Sequence, residues 1–511
     1  MTQASCQPNT NSDRITVAFA GMITSLDPAQ ASTTNNLQLL RAIGDPLYTL
    51  SADGTLRPCL AASKPELSDD GLNVIIPLRT DVLFHDGSRF DAEAMAFSLR
   101  RFLRIGTLNY VVGDRIKAVE VLAPNILGLQ LNNRSTSLES LLTSISLTPL
   151  SPQAYAKHKN SFLHDDFVGT GAYRLTSFNK QHQRLEPFER YWGKSPSNSG
   201  INLISLSNST ALFGALQSGE IDVLLSSSID EDQRYVLNQS ADQTLLHEAV
   251  GPAMKIGYIT LLSNAAPFRD RRLRQAIALS IDREEISERV SYGLRRPLRS
   301  LIPPGLPGGT LASWPKYNPK RAESLLRQSG FCQGKRLEVP LTFRSNVPAD
   351  KLLALTWQAQ VQRDLSNCLE LKLNGVESTA VYRRLSTGAF KAVILDWLGS
   401  YPDPEAYLTP LLSCTKTEGD ICVDGEAAVS GSFWTSPGLQ MLLKRSDSLR
   451  GISRETVLNK IERLTVNGAA YIPVWLESPR SWSQPGLKPP KYDRSGFVRL
   501  SRLQRIASHK N

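Results

Sequence analysis

A series of short turn-forming motifs in fixed order constrains this chain more than any single region does. Phe84-His-Asp-Gly-Ser-Arg-Phe-Asp91 comes first, followed by Val168-Gly-Thr-Gly-Ala-Tyr173, Tyr191-Trp-Gly193 and Ser218-Gly-Glu-Ile-Asp222. Phe268-Arg-Asp-Arg-Arg-Leu-Arg-Gln-Ala276, Ile281-Asp-Arg-Glu284, Tyr317-Asn-Pro319 and Tyr401-Pro-Asp-Pro404 complete the series. Each is punctuation. Asp-Gly tolerates the left-handed backbone of a tight turn, and Asp or Asn accepts the free amides at a helix start. A chain with punctuation throughout its length must alternate short strands and helices, which predicts an α/β protein with mixed sheets.

Local patterns place several elements. Ile15-Thr-Val-Ala-Phe19 reads as a first strand, and Val74-Ile-Ile-Pro-Leu78 as a buried one whose Pro77 requires an edge or a bulge. Asp91 should cap a helix bearing Met95, Leu99 and Phe102 on one face. Asp270 should cap another, and Asp282 with Glu285 forms a possible capping box. Asn318 caps a helix with Pro319 in its first position and Gly330 at its end. Ser218-Gly219 closes a helix before the strand Ile221-Asp-Val-Leu-Leu225. Another strand, Ala392-Val-Ile-Leu395, leads into Asp396-Trp-Leu-Gly-Ser-Tyr-Pro-Asp-Pro404, where Asp403 is expected to organise the turn.

At 511 residues the chain exceeds one comfortable core and should form two or three lobes. It has no run of 18 apolar residues to cross a membrane as a helix. The net charge of +10 comes from scattered Lys and Arg, and only Lys488 to Lys510 is locally basic. No zinc spacing or stacking motif accompanies it, so nucleic acid is not an expected partner. G-x-S-x-G, H-E-x-x-H, Walker A and G-x-G-x-x-G patterns are all missing, and the six His form no metal spacing. No catalytic residue, metal or cofactor is therefore expected. A cleft-containing hydrolase, the rival from another class, would need a nucleophile–base pair that the sequence does not display.

Taken together and in order, the motifs resemble those of the extracellular solute-binding proteins of peptide/nickel-type ABC importers, family 5. The resemblance implies the large periplasmic-binding-protein fold, class II type: two ligand-binding lobes plus an extra inserted domain. Carried onto this chain, residues 1–12 are a leader. Lobe I comprises 13–45, 168–262 and 470–508, lobe II 46–167 and lobe III 263–469. The hinge strands would cross near Gly257-Tyr-Ile-Thr260 and Tyr471-Ile-Pro-Val-Trp475. The resemblance also implies a non-enzymatic receptor, expected to be monomeric, that works with ABC permease subunits at the periplasmic side or cell surface.

In relatives the segment matching Asp396–Tyr401 lines the cleft and pairs with an extended ligand as an added strand. Asp396, Trp397, Leu398, Gly399, Ser400 and Tyr401 are thus candidate ligand contacts. Relatives carry a carboxylate at the position of Ser400, where it meets a peptide's α-ammonium. Asp396 either supplies a charge from another direction or is a strand-end Asp. The facing wall follows Leu26-Asp27-Pro28 and offers Ser32, Thr33, Thr34 and Asn35, which suit hydrogen bonding to a ligand and equally suit capping a helix that starts near Leu37. A peptide is the favoured solute, with an oligosaccharide or a nickel or other metal chelate as the alternatives.

Met1-Thr-Gln-Ala-Ser-Cys6 and the polar stretch after it match the end of a bacterial lipoprotein signal, which makes Cys6 a candidate lipid-anchor site, an ordinary exposed Cys in a polar leader being the alternative. Cys414 and Cys422 bracket a polar loop. Cys332 and Cys368 each precede a strand-like run, and would meet if those strands are parallel neighbours. Disulfides at both pairs are expected, with free buried thiols the alternative.

Overall fold

The computed structural model describes residues 14–506 apart from 32, 52–53, 107–111, 113–114, 207, 226–228 and 311–312. Three main sheets organise the chain. The first has seven strands in the order His247–Val250, Arg480–Ser483, Val223–Leu225, Ile15–Ala20, Ile201–Leu206, His182–Pro187 and Tyr173–Phe178. Ile15–Ala20 runs parallel to both of its neighbours while the outer pairs are antiparallel, so the sheet is mixed. The second has six strands in the order Arg296–Pro297, Tyr471–Glu477, Lys255–Leu261, Ala392–Leu398, Leu337–Arg344 and Leu369–Val376. The third, of four strands, includes Asn73–Pro77 and packs against the helix Ala92–Ile105. Pro77 is the last residue of its strand, beyond the two residues that pair with the neighbour Glu66–Leu67, so its missing N–H costs nothing.

The six-stranded sheet is buried on both faces. Val393 and Leu395 point to one apolar cluster, Ala392 and Ile394 to another, as a two-residue period requires. The first of these clusters continues into the four-stranded sheet, taking in Val74, Phe102 and Leu129 beside Ile256, Tyr258 and Tyr407.

The expected crossing strands need correction. Gly257 pairs with Asp396 on one side and Trp475 on the other, so Lys255–Leu261 and Tyr471–Glu477 are central strands of the six-stranded sheet. Lys255–Leu261 thus pairs directly with Ala392–Leu398. The chain passes between the two large sheets at 251–254 and again at 478–479. Gly257 suits its place because a Cβ there would lie 2.1 Å from the Trp475 indole nitrogen.

The motifs assemble on one another. His85 Nε2 lies 3.0 Å from the Gly171 carbonyl, and the His85 amide donates to the Gly169 carbonyl at 2.9 Å. Burial pushes the His85 imidazole down to about 4, which keeps it neutral. A Cβ on Gly171 would sit 2.3 Å from the Ile43 carbonyl carbon, so this close approach needs glycine. Thr170, Tyr191 and Trp192 all donate to the buried carboxyl of Asp45. These motif residues are structural.

The expected caps form at Asp91, Asp270, Asp282 and Asn318. The capping box is half replaced: Asp282 accepts from the Glu285 amide, but the Asp282 amide donates to Gln360 instead of Glu285. Cys332 is bonded to Cys368 and Cys414 to Cys422. The strands Leu337–Arg344 and Leu369–Val376 that follow the first pair are parallel neighbours in register. Cys6 lies outside the described residues.

Candidate ligand-binding cleft

Where the chain crosses between the two large sheets, a cleft opens whose walls come from both. Thr34, Asn35, Gln38 and Val498 stand on the side of the seven-stranded sheet, and Met254, Lys255, Leu398 and Glu477 on the side of the six-stranded sheet. Pro252, Pro479 and Arg480 close it at the crossings. Its volume is about 80 Å³, room for a few waters rather than a peptide, so the two sides stand nearly shut.

The helix that presents Thr34 and Asn35 spans Thr34–Ile43 and so begins three residues before the expected start. Thr33 is its cap, accepting from the Asn36 amide at 3.3 Å, and has no place in the cleft lining. Asn35 Nδ2 donates to the Ala20 carbonyl at 2.8 Å, which fixes the side chain against the end of the first strand. Ser32 lies outside the described residues. Thr33→Ala should cost about 1 kcal/mol of stability in urea unfolding, the usual loss of a side-chain cap, and leave solute affinity unchanged.

On the opposite wall only Leu398 of the six candidates lines the cleft. Trp397 is half-buried, and its indole N–H donates to the Ala406 carbonyl at 2.8 Å. Gly399 and Ser400 are half-buried in the following turn. Tyr401 is buried, and its hydroxyl donates to Glu405, which pairs with Arg115 from beside the four-stranded sheet. Tyr401 therefore serves packing between layers in this arrangement. Asp403 holds its turn by accepting from the Glu405 amide at 2.9 Å and from both terminal nitrogens of Arg454.

Asp396 stands behind the wall in a chain of alternating charges. Its Oδ2 lies 2.9 Å from Arg344 Nη2 and 3.0 Å from Lys255 Nζ. Arg344 also grips Asp350, and Lys255 lies 3.7 Å from Glu477. Glu477 continues to Arg295 and Arg234, which reach Glu231. Four carboxylates and four cations thus balance. Burial alone would push the Asp396 carboxyl up, but Lys255 and Arg344 outweigh it and hold it well below the usual range. Burial likewise opposes ionisation of Glu477, and Arg295, Lys255 and Arg234 hold it down.

Lys255, Glu477 and Arg480 escaped the sequence reading. The only signal was a charge at the end of an otherwise apolar strand, which becomes meaningful once both strands are known to end at the same crossing. A larger groove, about 770 Å³, opens between the helices Arg271–Leu279, Pro319–Gln328 and Gly451–Gly468 and holds none of the candidate contacts.

Residues 55–419 match the model of the bacterial extracellular solute-binding proteins, family 5 middle region. The chain belongs to this family. The solute-binding protein is 25% identical over 418 residues to the nickel-binding periplasmic protein of Escherichia coli (strain K12), covering 78% of each chain. It is 26% identical over 354 residues to the glutathione-binding protein GsiB of Salmonella typhimurium, covering 68% of this chain and 67% of that one. Its fold matches a dipeptide binding protein from a Pseudoalteromonas species in complex with Met-Leu, with a TM-score of 0.83, 20% identity, and coverage of 96% and 100% of the two chains. NikA from Brucella suis in complex with Fe(III)-EDTA matches with the same TM-score, identity and coverage.

Proposed function

We propose that this protein is the extracytoplasmic receptor of an ABC importer, capturing a small peptide-like solute between its two lobes and delivering it to the membrane permease. The observation that carries this reading is the cleft itself. Thr34 and Asn35 on one lobe face Leu398 on the other across a two-segment crossing. A solute held there touches both lobes, binds the shut form better than the open one, and so shifts the equilibrium between them. Taking that equilibrium from mostly open to mostly shut needs about 5 kcal/mol of differential binding. Contacts on both walls can supply it, whereas one surface hydrogen bond cannot. The relatives named for nickel, glutathione and a dipeptide support a small-solute cargo and leave a metal chelate as the second ligand class. In this reading the protein acts as a monomer on the periplasmic or outer face, with Cys6 as the lipid-anchor site.

Small-angle scattering of protein stripped of solute should show expansion, and re-addition of the solute recovered from the host should restore compaction. An unchanged profile with the solute bound would count against the reading. Thr34 is exposed at the first turn of its helix. Thr34→Trp should therefore fold normally yet obstruct closure, weakening solute binding in calorimetry by at least about tenfold, or roughly 1.4 kcal/mol.

A further inference from the structure

We propose that Lys255 is a specificity-determining residue, an internal cation that occupies the Asp396–Glu477 carboxylate pair at the cleft, so that the solute this cleft selects presents no free ammonium there. The inference rests on the receptor reading and narrows its ligand class to solutes that present no free amine there, such as an N-blocked peptide or a metal carried inside a chelate.

The geometry comes from three strands that lie side by side. Lys255 opens its strand opposite Leu398 on one neighbour and Glu477 on the other. Its side chain is about 30% exposed and lines the cleft, while its Nζ lies 3.0 Å from Asp396 and 3.7 Å from Glu477. An ammonium between two carboxylates is the arrangement a cleft would use to hold a ligand's amine, and here the protein's own amine holds it. Behind it, Asp396 is also shared with Arg344, and Glu477 with Arg295 and Arg234. A second cation entering the cleft would meet Lys255 at close range, with both carboxylates already neutralised. Like charges in a partly desolvated cleft repel strongly. Arg480, the other cation in the lining, pairs with Glu248, so it too leaves no carboxylate for an incoming amine. An uncharged group meets no such repulsion.

The test is equilibrium dialysis of the full-length protein against a casein digest, in parallel with the same digest after N-acetylation by acetic anhydride. Bound solutes are identified by mass spectrometry. The wild type should enrich solutes lacking a free amine, with enrichment from the acetylated digest at least tenfold above that from the untreated one. Lys255→Met opens Asp396 and Glu477 to the cleft and should gain at least tenfold in enrichment of amine-bearing peptides. Preferential capture of free amines by the wild type, lost on acetylation, would overturn the proposal, and so would a folded Lys255→Met protein with wild-type selectivity. If the variant fails to fold, the wild-type comparison still decides. No enrichment from either digest would instead overturn the peptide-like reading of the cargo, and the inference with it.

Discussion

Asp27→Ala should destabilise the protein by about 3–5 kcal/mol, the cost of leaving a buried charge without its partner. Asp27 is fully buried, and Arg101 is 2% exposed. The carboxylate takes both terminal nitrogens of Arg101 and also accepts from the Ala29 amide at 2.9 Å and the Leu163 amide at 2.8 Å. Arg101 in turn donates to the carbonyls of His158 and Ser161. One pair thereby ties the loop after the first strand to the helix Ala92–Ile105 and to the segment His158–Leu163. Truncating Asp27 strands a guanidinium in the interior and two amides with it. Equilibrium urea unfolding measures the loss. A double variant, Asp27→Ala with Arg101→Met, should recover much of it, because an apolar side chain of similar length needs no partner. A loss below about 1 kcal/mol in the single variant would mean that water reaches the pair.

The local half of this architecture was readable from residues alone. Asp91, Asp282 and Asn318 sit directly before the helices they cap, and a cap needs only partners three residues away. The order of motifs likewise identified the family, and of the contacts expected from it Thr34, Asn35 and Leu398 line the candidate cleft. What remained hidden depends on partners far along the chain. Lys255–Leu261 and Tyr471–Glu477 are apolar runs, and an apolar run reads the same whichever sheet buries it; only the pairing of Gly257 with Asp396 settles its place. The Asp396 carboxylate invited a ligand role until Arg344 and Lys255, distant in sequence, were found beside it. Tyr401 reads as a cleft aromatic, but it is buried, with its hydroxyl on Glu405, which pairs with the distant Arg115. The capping box failed for the same reason, since Gln360 took the amide that Glu285 was expected to hold. Function in such a fold lies at crossings between layers, where sequence neighbours carry the least information.

A second large effect should appear with pH. Glu462 is 1% exposed, and burial pushes its carboxyl from 4.5 up to about 7, although it accepts a hydrogen bond from the Leu301 amide at 3.0 Å. The folded value lies above the unfolded one, so the folded state prefers the protonated acid. Stability from this group is fully present below pH 4.5, falls as pH rises toward 7, and stays at its lower level above that. The shift corresponds to about 3 kcal/mol lost between acid and neutral pH. Asp45, pushed up to about 6 by burial against the donors Trp192, Tyr191 and Thr170, acts in the same direction over a lower window. The two are separable by substitution. Glu462→Gln keeps an oxygen for the Leu301 amide and cannot ionise, so it should match the wild type near pH 4 and exceed it by about 3 kcal/mol at pH 8. Urea unfolding of both proteins at the two pH values measures this, and parallel pH dependence would mean that Glu462 titrates as an exposed carboxylate does. Glu462 and Arg463, on the helix Gly451–Gly468, both line the larger groove. Although Glu462 lines that groove, it is 1% exposed, and this burial is what raises its carboxyl.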